Sequence, residues 1–427
     1  MTQSAGESAI SVPPTYEYEE IGAERTDAPR PFRGKRGSSH QTASTQERAF
    51  LVGVDRGARE GMALDESMLE LGRLVDTAGG TVVGTMTQRR VKIDPATYIG
   101  SGKLDEIVAE RESTKYTLVV FDDALSPSQQ LNLENALKVK VLDRSALILD
   151  IFAARAQTRE ASLQVELAQH EYLLPRLRGQ WQHLERMEGA IGLRGPGETQ
   201  LETDRRLINT RITKLKKQIK TVAKQRALQR TRRERQAMPV VALVGYTNAG
   251  KSSLMRALSG ADVYAADAVF ATLDPVTRRI GSGTSEAFLL TDTVGFMQKL
   301  PTQLVSAFRA TLEELKTADL LVHVIDGTAN AVDAQRDTVQ ETLEDLGIGG
   351  TPVLCVVNKV DGMVLPDGSP VEQESHLAIL DEANPLGMET ETLYVSATTG
   401  LGVDALRHRL LYEFFGSEVA APTASAV

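Results

Sequence analysis

The chain has 427 residues, room for two or three domains at roughly 150 residues each. Hydrophobic residues make up 41% and charged residues 25%, which excludes collagen-like, wholly disordered and disulfide-built classes. The net charge of −9 argues on its own against a polyanionic partner, but that charge is unevenly distributed.

Residues 1–47 have no periodic apolar spacing and are rich in Ser, Gly, Pro and charge, so a disordered N-terminal tail is expected. No hydrophobic signal core stands near Met1, and no run approaches the roughly 18 apolar residues of a membrane span; neither secretion nor membrane insertion is expected. Order begins with the strand-like run Ala49–Val54, followed by a helical spacing through Leu64, Met68, Leu71 and Val75 that Gly79-Gly80 closes. A strand at Thr81–Thr85, a helix near Lys103–Arg111, a strand at Leu118–Phe121, a helix at Ser128–Leu137 and a strand at Val139–Leu142 follow. This alternation predicts a small parallel α/β domain over 48–154.

Over 155–237 the strand signals vanish. Apolar residues recur at Leu163, Leu167, Leu174, Leu177, Trp181, Leu184 and Met187, and again at Leu201, Ile208, Ile212, Leu215, Ile219 and Val222. Two such seams bury each other if the helices fold into an antiparallel hairpin with the Gly-rich stretch 189–197 at its tip. Pro175 should kink or end the first helix locally. Between Arg205 and Arg235 thirteen basic residues face one acid, Glu234; this stretch carries +12 and the rest of the chain −21. The basic residues flank the second seam and form its solvated face, a lopsidedness that solubility alone does not require.

A third run of alternating strands and helices covers 238–416, an α/β domain with a mostly parallel sheet and helices on both faces, and 417–427 reads as a flexible tail. Its first strand, Val240–Val244, leads into Gly245, Tyr246, Thr247, Asn248, Ala249, Gly250, Lys251, Ser252 and Ser253, which fit G-x-x-x-x-G-K-[ST] before a helix. Bare glycine backbone can wrap phosphates, Lys251 can reach the β- and γ-phosphates, and the Ser252 hydroxyl can ligate Mg²⁺. Downstream, Asp292 in Asp292-Thr293-Val294-Gly295 suits Mg²⁺ through water, Gly295 offers its N–H to the γ-phosphate, and Thr272 in ATLDP could complete the metal shell only when that phosphate is present. Lys251, Thr272 and Gly295 are thus the expected catalytic set. Asn358, Lys359 and Asp361 (NKVD) follow the strand Val353–Val357; a buried Asp361 carboxylate would take two guanine N–H groups that adenine lacks, so GTP is the expected nucleotide. Ser396 and Ala397 offer a strand-end backbone to the guanine O6. Asn248 could also hold a monovalent cation such as K⁺, although a loop-stabilising hydrogen bond is as good a reading. Phe296, after Gly295, cannot orient water, so slow unaided hydrolysis is expected. Cys355 sits in the buried-strand run Val353–Val357; a lone cysteine fits a reducing, cytoplasmic setting.

Gly192–Arg206 (GLRGPGETQLETDRR), together with Tyr98–Lys103 (YIGSGK) and the motifs above, resembles the signature of the HflX family of ribosome-associated GTPases, over about 48–415. The resemblance implies a GTPase, stimulated by the large (50S) ribosomal subunit, whose hairpin reaches 23S RNA near the peptidyl-transferase region and which splits stalled or idle ribosomes under stress. Arg194 at the tip and Arg205, Arg206, Arg211, Lys214, Lys216, Lys217 and Lys220 on the second helix are then the expected RNA contacts. A GTP-gated large-subunit RNA-binding factor acting in assembly or storage stays open as the alternative, and a monomer is the expected state.

Overall fold

The computed structural model describes residues 46–57, 63–177, 196–234, 238–260, 269–282, 286–299, 315–388 and 390–416, with side chains of the long second hairpin helix described over 202–225. Most of both expected tails, and most of the Gly-rich tip with Arg194, lie outside these residues.

The run RAFLVGVD forms β1 (Arg48–Asp55), buried along nearly its whole length as the apolar sequence requires of an interior strand. Around it come α1 (Leu64–Thr77), β2 (Thr81–Arg89), α2 (Ser101–Ala109), β3 (Leu118–Phe121), α3 (Pro127–Leu137), β4 (Lys140–Asp143) and α4 (Arg144–Arg155). The four strands make an all-parallel sheet in the order β2-β1-β3-β4. Local chemistry places the helix starts. Ser126 forms a capping box with Gln129, with Pro127 at the first helical position, and Asp143 caps α4 by accepting from Ala146 N–H. β2 runs four residues beyond its expected end, because β1 pairs with it up to Arg89.

Next come α5 (Arg159–Leu173), a 3₁₀ turn at Leu174–Arg176 that contains Pro175, and the 39-residue α6 (Pro196–Glu234). The helix therefore already includes the last two residues of the expected tip, with proline at its start. Leu163 and Leu167 bury against Ile212 and Leu215, flanked by Leu174, Ile208, Ile219 and Val222, so this part of the expected seam forms; Trp181, Leu184 and Met187 lie outside the described residues. The basic face is less free than expected: Arg211 donates two hydrogen bonds to Glu166 (2.6 and 2.8 Å), and Lys216 pairs with Glu171 at 2.8 Å.

The final sheet has the order β10-β9-β8-β5-β7-β6, parallel except for the β6–β7 edge pair. Its strands are β5 (Val240–Val244), β6 (Val276–Ser282), β7 (Glu286–Asp292), β8 (Leu320–Asp326), β9 (Val353–Asn358) and β10 (Thr392–Tyr394). Among the described residues its helices are α7 (Lys251–Ser259), α8 (Val332–Asp345), α9 (Glu374–Ala383) and α10 (Val403–Phe415). α7 opens at Lys251, within the motif itself. The strand order reverses beside β5, with β7 on one side and β8 on the other, and the crevice at the carboxyl end of such a strand is where these sheets bind ligands. Residues 363–373, just before α9, form a small turn whose Leu365 and Val371 are buried beside Val357 and Tyr394. Cys355 is only half-buried, with Thr390 Oγ1 3.5 Å from its sulfur.

The largest apolar core does not respect the sheet boundaries. It joins Leu147, Ile148 and Phe152 of α4 and Val165 of α5 to Tyr246, Phe270, Leu273, Phe296 and Met297 of the nucleotide-binding motifs.

Candidate functional site

Lys251 is buried as the first residue of α7, and its Nζ donates to the carbonyls of Gly245 (3.1 Å) and Tyr246 (2.9 Å). Gly250 has φ +89°, and a Cβ there would lie 2.2 Å from Asn358 Nδ2. At Gly295 a Cβ would come within 2.8 Å of Thr247 Cα and 3.1 Å of Lys251 Nζ. Both positions must stay bare for two motifs to close on each other. Backbone bonds lock the closure: Thr247 N–H donates to Phe296 O at 2.7 Å, and Phe296 N–H to Gly245 O at 3.1 Å.

Ser252, Thr272 and Asp292 converge. Asp292 Oδ2 lies 2.6 Å from Ser252 Oγ and 2.9 Å from Thr272 Oγ1, and the two hydroxyls are 2.7 Å apart. Thr272, expected to join only when a γ-phosphate is present, already sits in this cluster because its neighbours on either side are anchored elsewhere. Asp292 Oδ1 is buried and finds no hydrogen-bond partner among the described residues. Burial pushes the Asp292 carboxyl up, and burial pushes the Lys251 ammonium down to about 8 against the opposing pull of Asp292. An anionic oxygen beside Lys251 and a divalent cation beside Asp292 would each reverse those shifts. One carboxylate with two hydroxyls suits Mg²⁺, which takes few protein ligands and completes its octahedron with phosphate oxygens and water. Among the described residues no cluster of three or more His, Cys, Asp or Glu competes for a metal.

The third group lies at the ends of β9 and β10. Asn358 donates through Nδ2 to Ala249 O (2.9 Å) and accepts at Oδ1 from Ala397 N–H (3.0 Å), tying the phosphate loop to the strand-end loop. Ser396 Oγ donates to Asp361 Oδ1 at 2.6 Å. Asp361 itself is exposed, contrary to expectation, because it stands in the 3₁₀ turn Val360–Gly362 at the mouth of the cleft. Lys359 pairs with Asp326 at the end of β8 (2.7 Å). Asp326 was missed in the sequence, although its place after the apolar run Leu320–Ile325 is the usual signature of a strand-end polar residue.

Other contacts had no local signal. The Tyr246 hydroxyl, in the middle of the phosphate loop, donates to Glu70 of α1 at 2.7 Å. Glu70 also accepts from Arg144 (2.7 Å), which is fully buried and pairs with Asp122; Lys299, just past Phe296, pairs with the same Asp122. Asp274 accepts from the backbone N–H groups of Gln157 and Thr158 at the start of α5.

Comparison with known proteins agrees along the chain. Residues 65–153 match the family described as "GTP-binding GTPase N-terminal", 155–233 "GTP-binding GTPase Middle Region", and 240–359 "50S ribosome-binding GTPase". A GTPase HflX of Caldanaerobacter subterraneus subsp. tengcongensis is 45% identical over 88% of this chain and 82% of its own length. The chain belongs to the HflX GTPase family. HflX GTPases of Alkalihalophilus pseudofirmus (49% identical, 74% of each chain) and Escherichia coli (45%, 84% and 81%) are similarly close. A solved GDP complex of a GTP-binding protein from Sulfolobus solfataricus is 25% identical and covers 86% of this chain and 99% of that one, with a TM-score of 0.44. As an HflX-family member the chain is a GTPase that binds GTP and GDP. Among the described residues no helix is long and apolar enough to cross a membrane.

Proposed function

We propose that this HflX-family chain is a Mg²⁺-dependent GTPase that binds the large ribosomal subunit through the basic face of α6 and, with GTP bound, separates stalled or idle ribosomes into subunits under stress. The carrying observation is the direct attachment of the Thr272–Asp274 segment of the nucleotide site to the first turn of the hairpin helix α5. A nucleotide site wired in this way to a strongly basic hairpin has an obvious output: RNA contacts that change with the γ-phosphate. The description of the matched family as a 50S ribosome-binding GTPase supports the same partner.

In this reading Gly245–Ser253 cradle the phosphates, Lys251 neutralises β- and γ-oxygens, and the Gly295 N–H meets the γ-phosphate. Ser252 and Thr272 would hold Mg²⁺ directly and Asp292 through water; the bound ion neutralises charge on the β- and γ-oxygens. Asn358, Lys359 and Asp361, with the backbone at Ser396 and Ala397, select guanine. Asp361 becomes shielded only once a base covers it, and from then on an adenine would leave its carboxylate unpaired. Phe296 supplies no polar atom to water, which makes hydrolysis slow until the subunit contributes the missing group. RNA phosphates are met by Arg205, Arg206, Lys214, Lys217 and Lys220, with Arg211 and Lys216 exchanging their glutamates for phosphate. Asn248, within the phosphate loop, is the position from which K⁺ would be held.

Sedimentation of the purified protein with intact ribosomes in GTP, a non-hydrolysable GTP analogue and GDP tests the proposal. Free subunits with the protein on the large one, in the triphosphate states alone, is the expected outcome. Binding without subunit release would instead favour an assembly or storage role.

A further inference from the structure

The segment 269–274 is held on both sides of Thr272 by elements outside the nucleotide-binding sheet. Upstream, Phe270 is buried against Phe152 of α4, ring centroids 4.5 Å apart and edge to face. Its φ of +56° is one a bulky residue keeps only where its surroundings hold it. Downstream, Asp274 turns away from the phosphate site. Its Oδ2 accepts from Gln157 N–H (2.9 Å) and Thr158 N–H (3.0 Å), and its Oδ1 from the Thr158 hydroxyl. Thr158 is itself the N-cap of α5, accepting from Ala161 N–H at 3.1 Å.

Between these anchors Thr272 Oγ1 reaches Ser252 and Asp292. Two residues of chain span at most about 7 Å. The first turn of α5 therefore cannot shift by several ångströms without breaking the Asp274 bonds or drawing Thr272 from Asp292. Four other bonds in the neighbourhood, from Tyr246 and Lys299 to Glu70, Asp122 and Asp123 and from Arg144 to Asp122, fix the remaining walls, so the Asp274 contact is the exposed and yielding one.

We propose that Asp274 is a positioning residue for GTP hydrolysis: through the N-cap of α5 it holds Thr272 on the Ser252–Asp292 oxygens, so that hairpin docking and hydrolytic competence are one equilibrium. The inference rests on the GTP reading above and adds the regulation of that same site. With α5 docked on Asp274 the site is competent; a hairpin drawn away releases Thr272, which acts on GTP and not on GDP.

The test uses the full chain with Asp274→Ala, Asp274→Asn, Thr158→Val and the Asp274→Ala/Thr158→Val pair, all checked by thermal melting. Single-turnover hydrolysis and dissociation constants for a slowly hydrolysed GTP analogue and for GDP are measured on each. Asp274→Ala is expected to slow hydrolysis and weaken the analogue each by about tenfold, with GDP affinity held within about twofold. Thr158→Val, on the hairpin side, moves the same quantities in the same direction. The double variant goes no further than Asp274→Ala, and Asp274→Asn, which keeps one acceptor oxygen, recovers part of the loss. A lowered melting temperature with unchanged rate and unchanged analogue-to-GDP ratio would overturn the proposal, leaving Asp274 as a helix cap alone. Failure of the unsubstituted chain to bind either guanine nucleotide removes the GTP reading itself, and is seen before any variant is compared.

Discussion

Asp361 stands in the open beside the Ser396 hydroxyl, so its selectivity depends on what a base does when it arrives. Replacing it with Asn puts an N–H where guanine also presents N–H groups. Asp361→Asn should weaken GTP by about 100-fold, the loss of two hydrogen bonds to a charged acceptor, and should improve xanthosine triphosphate, whose 2-oxo group accepts. Competition binding with both nucleotides reads this directly, and equal losses for the two would refute it. Phe296 makes the opposite point. Only 2% exposed, it packs in the core shared with α4 and α5, so its side chain has no path to an attacking water. Phe296→Gln should lower the melting temperature, at a cost on the order of 3 kcal/mol, without accelerating single-turnover hydrolysis. The nucleotide residues were legible because each motif is contiguous and its chemistry local. The core role of Phe296 was not, since a neighbour that buries a side chain from 140 residues away leaves no local pattern.

At the scale of elements, the hairpin separates packing from charge. Leu215, fully buried between α5 and α6, holds the helices together; the ion pairs Arg211–Glu166 and Lys216–Glu171 are partly exposed and contribute roughly 0–1 kcal/mol each. On the proposed reading such weak pairs are exchanged for RNA phosphates. Burial pushes the Glu166 carboxyl up, but Arg211 and His170 together outweigh it and hold it below its ordinary range. Lys217 and Lys220 have no glutamate partner among the described residues. Charge reversal of both should leave melting unchanged, weaken large-subunit binding by at least about tenfold and lower the slope of log affinity against log salt by roughly 0.7–0.9 for each phosphate no longer neutralised. Unchanged co-sedimentation across a salt series would rule out this role for the two lysines. The seam was readable from spacing alone, whereas the acids on α5 that engage the basic helix could be placed opposite it only once the two helices were paired in space.

At the scale of the whole molecule, an all-parallel and a mostly parallel sheet are joined by a buried charge cluster. Arg144, at 1% exposure, bridges Glu70 and Asp122; the nucleotide-binding part enters through Tyr246 and Lys299. Burial pushes the Asp122 carboxyl up, but Arg144 and Lys299 outweigh it and hold it below the ordinary value. A carboxyl lowered by folding adds stability that is present above its unfolded pKa and is lost as pH falls through the folded one. Melting temperature should therefore drop on acidification below about pH 4, and drop less steeply in Asp122→Asn. Arg144→Met, which takes the guanidinium from two buried carboxylates and leaves them Lys299 and the Tyr246 hydroxyl, should cost about 3–5 kcal/mol and loosen the Tyr246 loop, seen as faster amide exchange there. None of this was legible. Tyr246 and Glu70 are 176 residues apart and Lys299 and Asp122 are 177 apart, and no periodicity reports such a pairing.

The 39 residues of α6 measure about 58 Å from end to end. Its partner α5 begins at the Asp274 contact, and a tilt of only 5° about one end would carry the other end of so long a rod through about 5 Å, roughly one and a half times the rise per base along a nucleic-acid strand. On the proposed reading the hairpin is therefore a lever with gain: hydroxyl movements too small to change the fold of the nucleotide site become displacements on the scale of a nucleotide step at the RNA-facing end.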